Sequence, residues 1–295
     1  MIVAGIDGGT NYGKLSIIST QPFQILFQKS VKYSIGKSLD ENKNIPDEKI
    51  EEVADIFKDF ADIAKQYKCA EIKAVGTAGF RNPRNSQALI DRIYDKSGIK
   101  VRVINGMEEA KLTYKGALLS FDDKDANYVE IDIGGMSTEI SSGRLDYISK
   151  SKSIDIGSSS LSKQFTLENK VLNEGDLNGI LTFLDRKFNG VSVPSTPNTI
   201  FILTGSAGFA PIMFKDNSLD DEKIKAKPIW SIGHKTVETL MRTIMKQPSF
   251  SKNFSNDSDI VLAQCIVLYF LMNKFNIDKL FYSTLGLRHG LVLFS

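Results

Sequence analysis

Short apolar runs broken by glycine-rich turns open the chain. Ile2, Val3, Ala4 and Ile6 lead into Asp7-Gly8-Gly9-Thr10, and after Gly13 the apolar positions resume at Leu15, Ile17 and Ile18. Phe23, Ile25 and Phe27 then follow at a spacing of two. This reads as strand, glycine turn, strand, strand. A helix is predicted next: Pro46 suits its first turn, Asp47 and Glu48 suit its positive end, and Ile50, Val53, Phe57, Phe60 and Ile63 form one stripe. Glu71 to Val75 reads as a strand running into Thr77-Ala78-Gly79-Phe80-Arg81. Beyond it come a helix from Ser86 to Tyr94, a strand from Val101 to Ile104 and a helix from Met107 to Leu119.

Between Phe121 and Asn127 the composition turns to Asp, Lys and Asn, the best linker candidate in the chain. The opening pattern then returns. Tyr128-Val129-Glu130-Ile131 enters Asp132-Ile133-Gly134-Gly135-Met136-Ser137-Thr138, and Glu139, Ile140 and Ser141 continue past the turn. Two copies of strand, Asp, glycine turn, hydroxyl and strand imply two related halves, each begun by an antiparallel hairpin. Strands mixed with helices in both halves give an α/β architecture. The remaining predicted elements are a helix from Glu174 to Phe188, a strand from Ile200 to Leu203 ending in Thr204-Gly205-Ser206, and helices near Lys235 to Lys246 and Ile260 to Lys274. Leu280 to Phe294 closes the chain. The boundaries expected are 1–122 for the first domain, with 279–295 packing back on it, and 123–278 for the second.

Length agrees with that division, since 295 residues is about two domains at roughly 150 residues each. Thirty-seven basic against 35 acidic side chains leave a net charge of +2, too balanced for a broad nucleic-acid footprint. Two cysteines, Cys69 and Cys265, lie far apart and outside any C-x-x-C pair, which excludes zinc ribbons and dithiol redox chemistry. With only His234 and His289 present, a two-histidine metal helix has no material. Any catalysis is therefore expected to rest on carboxylates, hydroxyls and backbone amides, with Mg²⁺ as an optional partner. The amino terminus carries no basic-then-apolar leader. The apolar stretch from Ile260 to Met272 is broken by Gln264 and is shorter than the ~20 residues a membrane span needs. A cytoplasmic protein is expected.

Gly8-Gly9-Thr10-Asn11-Tyr12-Gly13-Lys14 nearly spells a Walker A loop, but Leu15 stands where the metal-binding hydroxyl belongs and a strand follows instead of a helix. The better reading is a hairpin turn whose glycines let backbone amides approach a phosphate, with Thr10 and Asn11 adding donors. A bare glycine turn is the plain alternative, and the repeat at Asp132 to Thr138 weakens it. Asp132 and Glu139 bracket that second turn and can face one cleft, where crowded carboxylates favour a cation. Mg²⁺ takes one or two protein carboxylates and fills its other positions with water and phosphate; a solvated surface pair is the alternative. Arg81 can clamp a phosphate or simply be solvated. Glu108 and Glu109 open a helix, where acids also serve the helix dipole alone.

Taken together these segments resemble the exopolyphosphatase and guanosine pentaphosphate phosphohydrolase (Ppx/GppA) family, within the superfamily of actin, sugar kinases and heat-shock chaperones. The resemblance is carried by Asp7-Gly8-Gly9-Thr10-Asn11, by Gly76-Thr77-Ala78 with Arg81 and Asn85, and by Asn105-Gly106-Met107-Glu108-Glu109-Ala110. It continues with Asp132 to Glu139, Thr204-Gly205-Ser206-Ala207-Gly208 and Gly286-Leu287-Arg288-His289-Gly290-Leu291, in family order over almost the whole chain.

The resemblance implies two ribonuclease-H-like α/β domains flanking a cleft, and Mg²⁺-dependent hydrolysis of the terminal phosphoanhydride of inorganic polyphosphate. Hydrolysis of pppGpp is the neighbouring activity, and a non-catalytic sensor of polyphosphate or alarmone is the alternative outside enzymology. It places the water-activating base on Glu109 and a second catalytic carboxylate on Glu139. Asp132, Glu139 and Asp7 are placed on the metal. Gly9, Thr10, Asn11, Arg81, Gly134, Gly135, Ser137, Thr138, Gly205 and Ser206 are placed on phosphoryl oxygens. The partners implied are inorganic polyphosphate or guanosine penta- or tetraphosphate, without nucleic acid or membrane; a homodimer is left open. Two departures stand out: Met136 replaces a third glycine and Asn105 replaces a serine. The chain also stops at Ser295, as in short two-domain members.

Overall fold

The computed structural model describes residues 1–194, 196–205, 229–253 and 258–295. The chain forms two compact units, Met1–Gly116 with Gly286–Ser295, and Ala117–Leu285.

In the first unit a five-stranded sheet has the order β3-β2-β1-β4-β5. Strands β1 (Ile2–Gly8), β2 (Tyr12–Thr20) and β3 (Phe23–Lys32) form an antiparallel meander, and β4 (Glu71–Gly76) and β5 (Val101–Val103) run parallel to β1. The predicted apolar stripe lies on helix α2 (Asp47–Gln66), which follows the short α1 (Ile35–Ser38). Its Ile50, Val53, Phe57 and Phe60 are buried against Leu15 and Ile17 of β2 and against Phe80, Leu89 and Ile93. The last two sit on α4 (Ser86–Ser97), and Phe80 on the short α3 (Ala78–Arg81). Helix α5 (Gly106–Ala117) meets the carboxy-terminal segment in a small cluster of Val75, Ile104, Leu112, Leu287 and Leu291.

The second unit carries a six-stranded sheet of order β10-β11-β9-β6-β7-β8. Strands β6 (Asn127–Ile133), β7 (Thr138–Gly143) and β8 (Ile148–Ile154) repeat the antiparallel meander. Strand β9 (Thr199–Gly205) runs parallel to β6, β11 (Lys279–Ser283) parallel to β9, and β10 (Ile229–Gly233) antiparallel to β11. One sheet face, with Val129, Ile131, Ile133 and Leu203, is covered by α6 (Ser158–Phe165), α7 (Glu174–Lys187), α8 (His234–Lys246) and α9 (Ser258–Lys274). Helix α9 is buried on nearly every side, which is why its sequence reads as an apolar run rather than a stripe.

The unit boundaries differ from the expected 122/123 and 278/279. The polar run after α5 is tied into the second unit, because Phe121 packs edge-on against Tyr128 and Phe281 and the Tyr128 hydroxyl donates to the Asp123 carbonyl at 2.8 Å. Residues 279–283 likewise form β11 of the second sheet. The part of the carboxy-terminal segment within the first unit is Gly286–Ser295, with helix α10 (Leu287–Phe294).

Candidate active site

In the first unit, the antiparallel register pairs Gly8 with Gly13, and residues 9–11 form the tip of the β1–β2 hairpin. The Gly9 amide donates to the Tyr12 carbonyl at 3.0 Å, and the buried Tyr33 hydroxyl donates to the Gly9 carbonyl at 2.8 Å. The carbonyls of Thr10 and Asn11 accept from the amides of Gly36, Tyr33 and Ser34. The tip is thus held through its carbonyls, while the amide and hydroxyl of Thr10 have no partner among the described residues. Asp7 is buried beside this tip. Burial pushes its carboxyl above the usual carboxylate range, and the charges of Lys14 and Arg288 oppose that rise.

Helix α3 lies directly on the turn. A Cβ at Gly79 would stand 2.7 Å from the Thr10 Cα, so only glycine permits this approach. Two residues later Arg81 donates from Nη1 to the Ile104 carbonyl at 2.7 Å, and the same nitrogen lies 3.5 Å from Glu109 Oε2. Among the described residues, the other guanidinium donors of Arg81 are not engaged.

The two adjacent glutamates of α5 separate cleanly. Asn105 caps the helix: its Oδ1 accepts from the Glu108 amide at 2.9 Å, and its carbonyl accepts from the Glu109 amide at 2.9 Å. This is what the replacement for serine does, since Asn is as good an N-cap as Ser. The ~100° between successive helical residues sends Glu108 outward to Arg102, with 37% of its side chain exposed, and sends Glu109 inward to Arg81 with 9% exposed.

In the second unit Asp132 and Glu139 face one another directly across the β6–β7 pair. Glu139 is wholly buried and accepts from the Ser153 hydroxyl at 2.6 Å. A third acid shares this face. Glu130, two residues before Asp132, is wholly buried, and its Oε1 accepts from the Thr204 hydroxyl at 2.5 Å. Burial first, and the charge of Asp132 second, hold its carboxyl well above the usual range; Glu139 adds to the rise and the Thr204 bond opposes it. Sequence reasoning missed Glu130, Ser153 and Thr204 as site residues. The available signal was Glu130 and Asp132 at strand spacing within a run otherwise built of Tyr, Val and Ile.

The second glycine turn is braced like the first. Gly134 donates to the Ser137 carbonyl at 3.0 Å, and the carbonyls of Gly134 and Gly135 accept from the first amides of α6, those of Ser158, Ser159 and Ser160. The amides of Gly135, Met136 and Ser137 have no partner among the described residues, which leaves a row of donors for an anion. Thr138 is turned inward, its hydroxyl donating to the Ile156 carbonyl at 2.7 Å. Met136 does not have a positive φ, so the turn accepts a side chain there without backbone strain. Gly205 does, with φ +92°, and a Cβ there would stand 2.3 Å from Asp132 Oδ1. Ser206 lies outside the described residues.

The structure therefore brings Gly9, Thr10, Arg81 and Glu109 together in the first unit, and Asp132, Gly134, Gly135, Ser137, Glu139 and Gly205 in the second. Among the described residues no group of three or more His, Cys, Asp or Glu side chains is arranged to hold a metal ion. The pair Asp132 and Glu139 still suits Mg²⁺, which needs only one or two protein carboxylates when phosphate and water complete its shell. Glu130, Asp132 and Glu139 place three carboxyl groups on one face of that sheet. No helix of the described residues is long and apolar enough to cross a membrane.

Several known proteins resemble this chain. The bifunctional 3-dehydroquinate synthase/phosphatase of Fusobacterium nucleatum is 28% identical over 290 residues, covering 93% of this chain and 44% of that protein. The guanosine-5′-triphosphate,3′-diphosphate pyrophosphatase of Photobacterium profundum is 28% identical over 158 residues, covering 53% of this chain and 32% of that protein. The chain thus spans less than half the length of either relative. An exopolyphosphatase from Cytophaga hutchinsonii superposes with a TM-score of 0.90 over 99% of this chain and 96% of its own, at 21% identity, which shows the two-unit ribonuclease-H-like fold. The Ppx/GppA phosphatase pattern itself runs through residues 15–295. The chain belongs to the Ppx/GppA phosphatase family.

Proposed function

We propose that the protein hydrolyses the terminal phosphoanhydride of inorganic polyphosphate with the help of Mg²⁺, releasing phosphate and a chain one unit shorter. The observation that carries this reading is the buried Glu109 beside Arg81, which sits on the helix that packs against the first glycine turn and whose remaining donors are not engaged among the described residues. Water attacks the terminal phosphorus, its proton passes to a Glu109 oxygen, and the bridging oxygen leaves with the shortened chain. Arg81 and the Thr10 donors, in the first unit, hold oxygens of the phosphoryl group; in the second unit the amides of Gly135, Met136 and Ser137 are a row of anion donors of their own. Such transfers depend mainly on positioning and charge stabilisation. Mg²⁺ held by Asp132 and Glu139 would supply charge neutralisation on the phosphates. Asp7, already facing the charges of Lys14 and Arg288, is the weakest of the three candidate ligands.

Substituting Glu109→Gln removes the proton acceptor while keeping shape. General-base assistance is worth about 10²–10⁴-fold, so phosphate release should fall by that factor while polyphosphate binding, measured by calorimetry, persists. Wild-type turnover in this variant would remove the mechanism. The relative named for guanosine-5′-triphosphate,3′-diphosphate supports a second substrate, pppGpp, and its kcat/KM set beside that of defined polyphosphates decides which is preferred. Binding of either without turnover, across several divalent metals, would mark a sensor instead.

A further inference from the structure

Building on the role proposed above for Asp132, we propose that Glu130 is a positioning residue that acts through Thr204 and the Gly205 corner to fix the direction of the Asp132 carboxylate. Glu130 and Asp132 are two apart on β6 and so point to the same sheet face. Glu130 is wholly buried, its Oε1 taking the Thr204 hydroxyl at 2.5 Å and its Oε2 having no hydrogen-bond partner among the described residues. A buried carboxyl with one unpartnered oxygen costs free energy that a leucine would avoid. What the carboxyl supplies that leucine could not is the bond to Thr204.

That bond acts at one particular place. Thr204 lies opposite Asp132 in the parallel β6–β9 pair. Its branched Cβ couples the direction of the hydroxyl to the local backbone, and the next residue is Gly205, in the left-handed region at φ +92°. The position a Gly205 Cβ would occupy is 2.3 Å from Asp132 Oδ1. The Gly205 corner is therefore a wall against which the Asp132 carboxylate rests, and Glu130 pins the residue from which that corner starts. Glu139, across the strand from Asp132, is held separately by Ser153. Each neighbouring acid is oriented by a hydroxyl from an adjacent strand, and Asp132 by the backbone corner between them.

The test compares Thr204→Val and Glu130→Leu, which break the bond, with Thr204→Ser and Glu130→Gln, which keep a donor and an acceptor in place. In ligand-free protein the ¹³C-carboxyl resonance of Asp132, assigned with D132N, should move in the first pair and stay in the second. Affinity for tripolyphosphate with Mg²⁺ should weaken about tenfold in the first pair, the size of one lost buried hydrogen bond, and stay within about twofold in the second. The double variant T204V/E130L replaces both groups with apolar ones. It should recover the thermal midpoint lost by each single variant but neither the resonance nor the affinity. An unmoved Asp132 resonance in T204V, or affinity regained by the double variant together with its midpoint, would reduce the bond to a stability element and overturn the proposal. A wild-type protein that neither binds nor hydrolyses phosphate chains would end the functional reading, while the ligand-free resonance would still decide the positioning.

Discussion

At the residue scale the site turns on which of two neighbouring glutamates faces inward. Glu108 pairs with Arg102 on an exposed flank and Glu109 lies against Arg81. Exposed ion pairs contribute little, so Glu108→Gln should leave phosphate release within about twofold of wild type, against the large loss for Glu109→Gln. Equal losses in the two variants would mean that the helix presents both acids to the reaction. Met136 gives a second contrast. Its backbone needs no glycine, so Met136→Gly should add only unfolded-state freedom and destabilise by roughly 0.5–1 kcal/mol. Tripolyphosphate affinity should stay within about twofold; a tenfold gain would show that the thioether blocks the amide row. The motif residues Glu109, Asp132 and Glu139 were legible because a residue pattern surrounds each. Glu130 was not, because an acid two residues before Asp132 looks like ordinary strand alternation, and only the fold reveals that its side chain is wholly buried.

Among elements, the two hairpins were the most legible feature, since a glycine turn between apolar runs has few other meanings. Strand β8 and helix α6 escaped for a shared reason. Ile148 to Ile154 alternates Ser with Lys, and Ser158 to Phe165 opens with three serines, so neither shows the apolar periodicity that marks an element. Both are formed by partners: β8 by its register on β7, and α6 by the Gly134 and Gly135 carbonyls that cap its first turn. Helix α3, only four residues long, is positioned in the same way, through Gly79 on the Thr10 backbone. Gly79→Ala would force a methyl to 2.7 Å from a main-chain carbon. Overpacking of this kind costs about 1–3 kcal/mol, and because α3 carries Arg81, phosphate affinity should fall along with the unfolding midpoint. A variant that loses midpoint but keeps affinity would show that Arg81 finds its place without the turn.

For the whole molecule, two buried titratable groups make opposite demands on pH, one in each unit. His289 is wholly buried at the start of α10, where its Nδ1 accepts from the Gly286 amide at 3.1 Å. Burial first, then the charges of Arg288 and Lys14, hold its imidazole well below the usual range. The unfolded chain therefore takes up this proton first. The first unit loses stability as pH falls below about 6.5 toward the folded value, and keeps the full contribution above it. Asp7 in the same unit is raised and tilts the other way, from the bottom of the carboxylate range upward, so the His289 effect is isolated by difference in a His289→Asn variant. Glu130 reverses the sign: its folded value is raised, the folded chain holds the proton longer, and the second unit loses stability as pH rises above about 4.5 until the folded value is passed. Trp230, the one tryptophan of the sequence, sits in the second unit against Tyr282, so its fluorescence reports that unit during urea unfolding. Glu130→Gln, which mimics the protonated acid, should raise the Trp230 midpoint at pH 8 without added divalent cation, by a margin that shrinks steadily toward pH 4.5. A margin that is flat with pH, or that widens on acidification, would mean that Glu130 is ionised in the folded protein and that a positive charge compensates its burial.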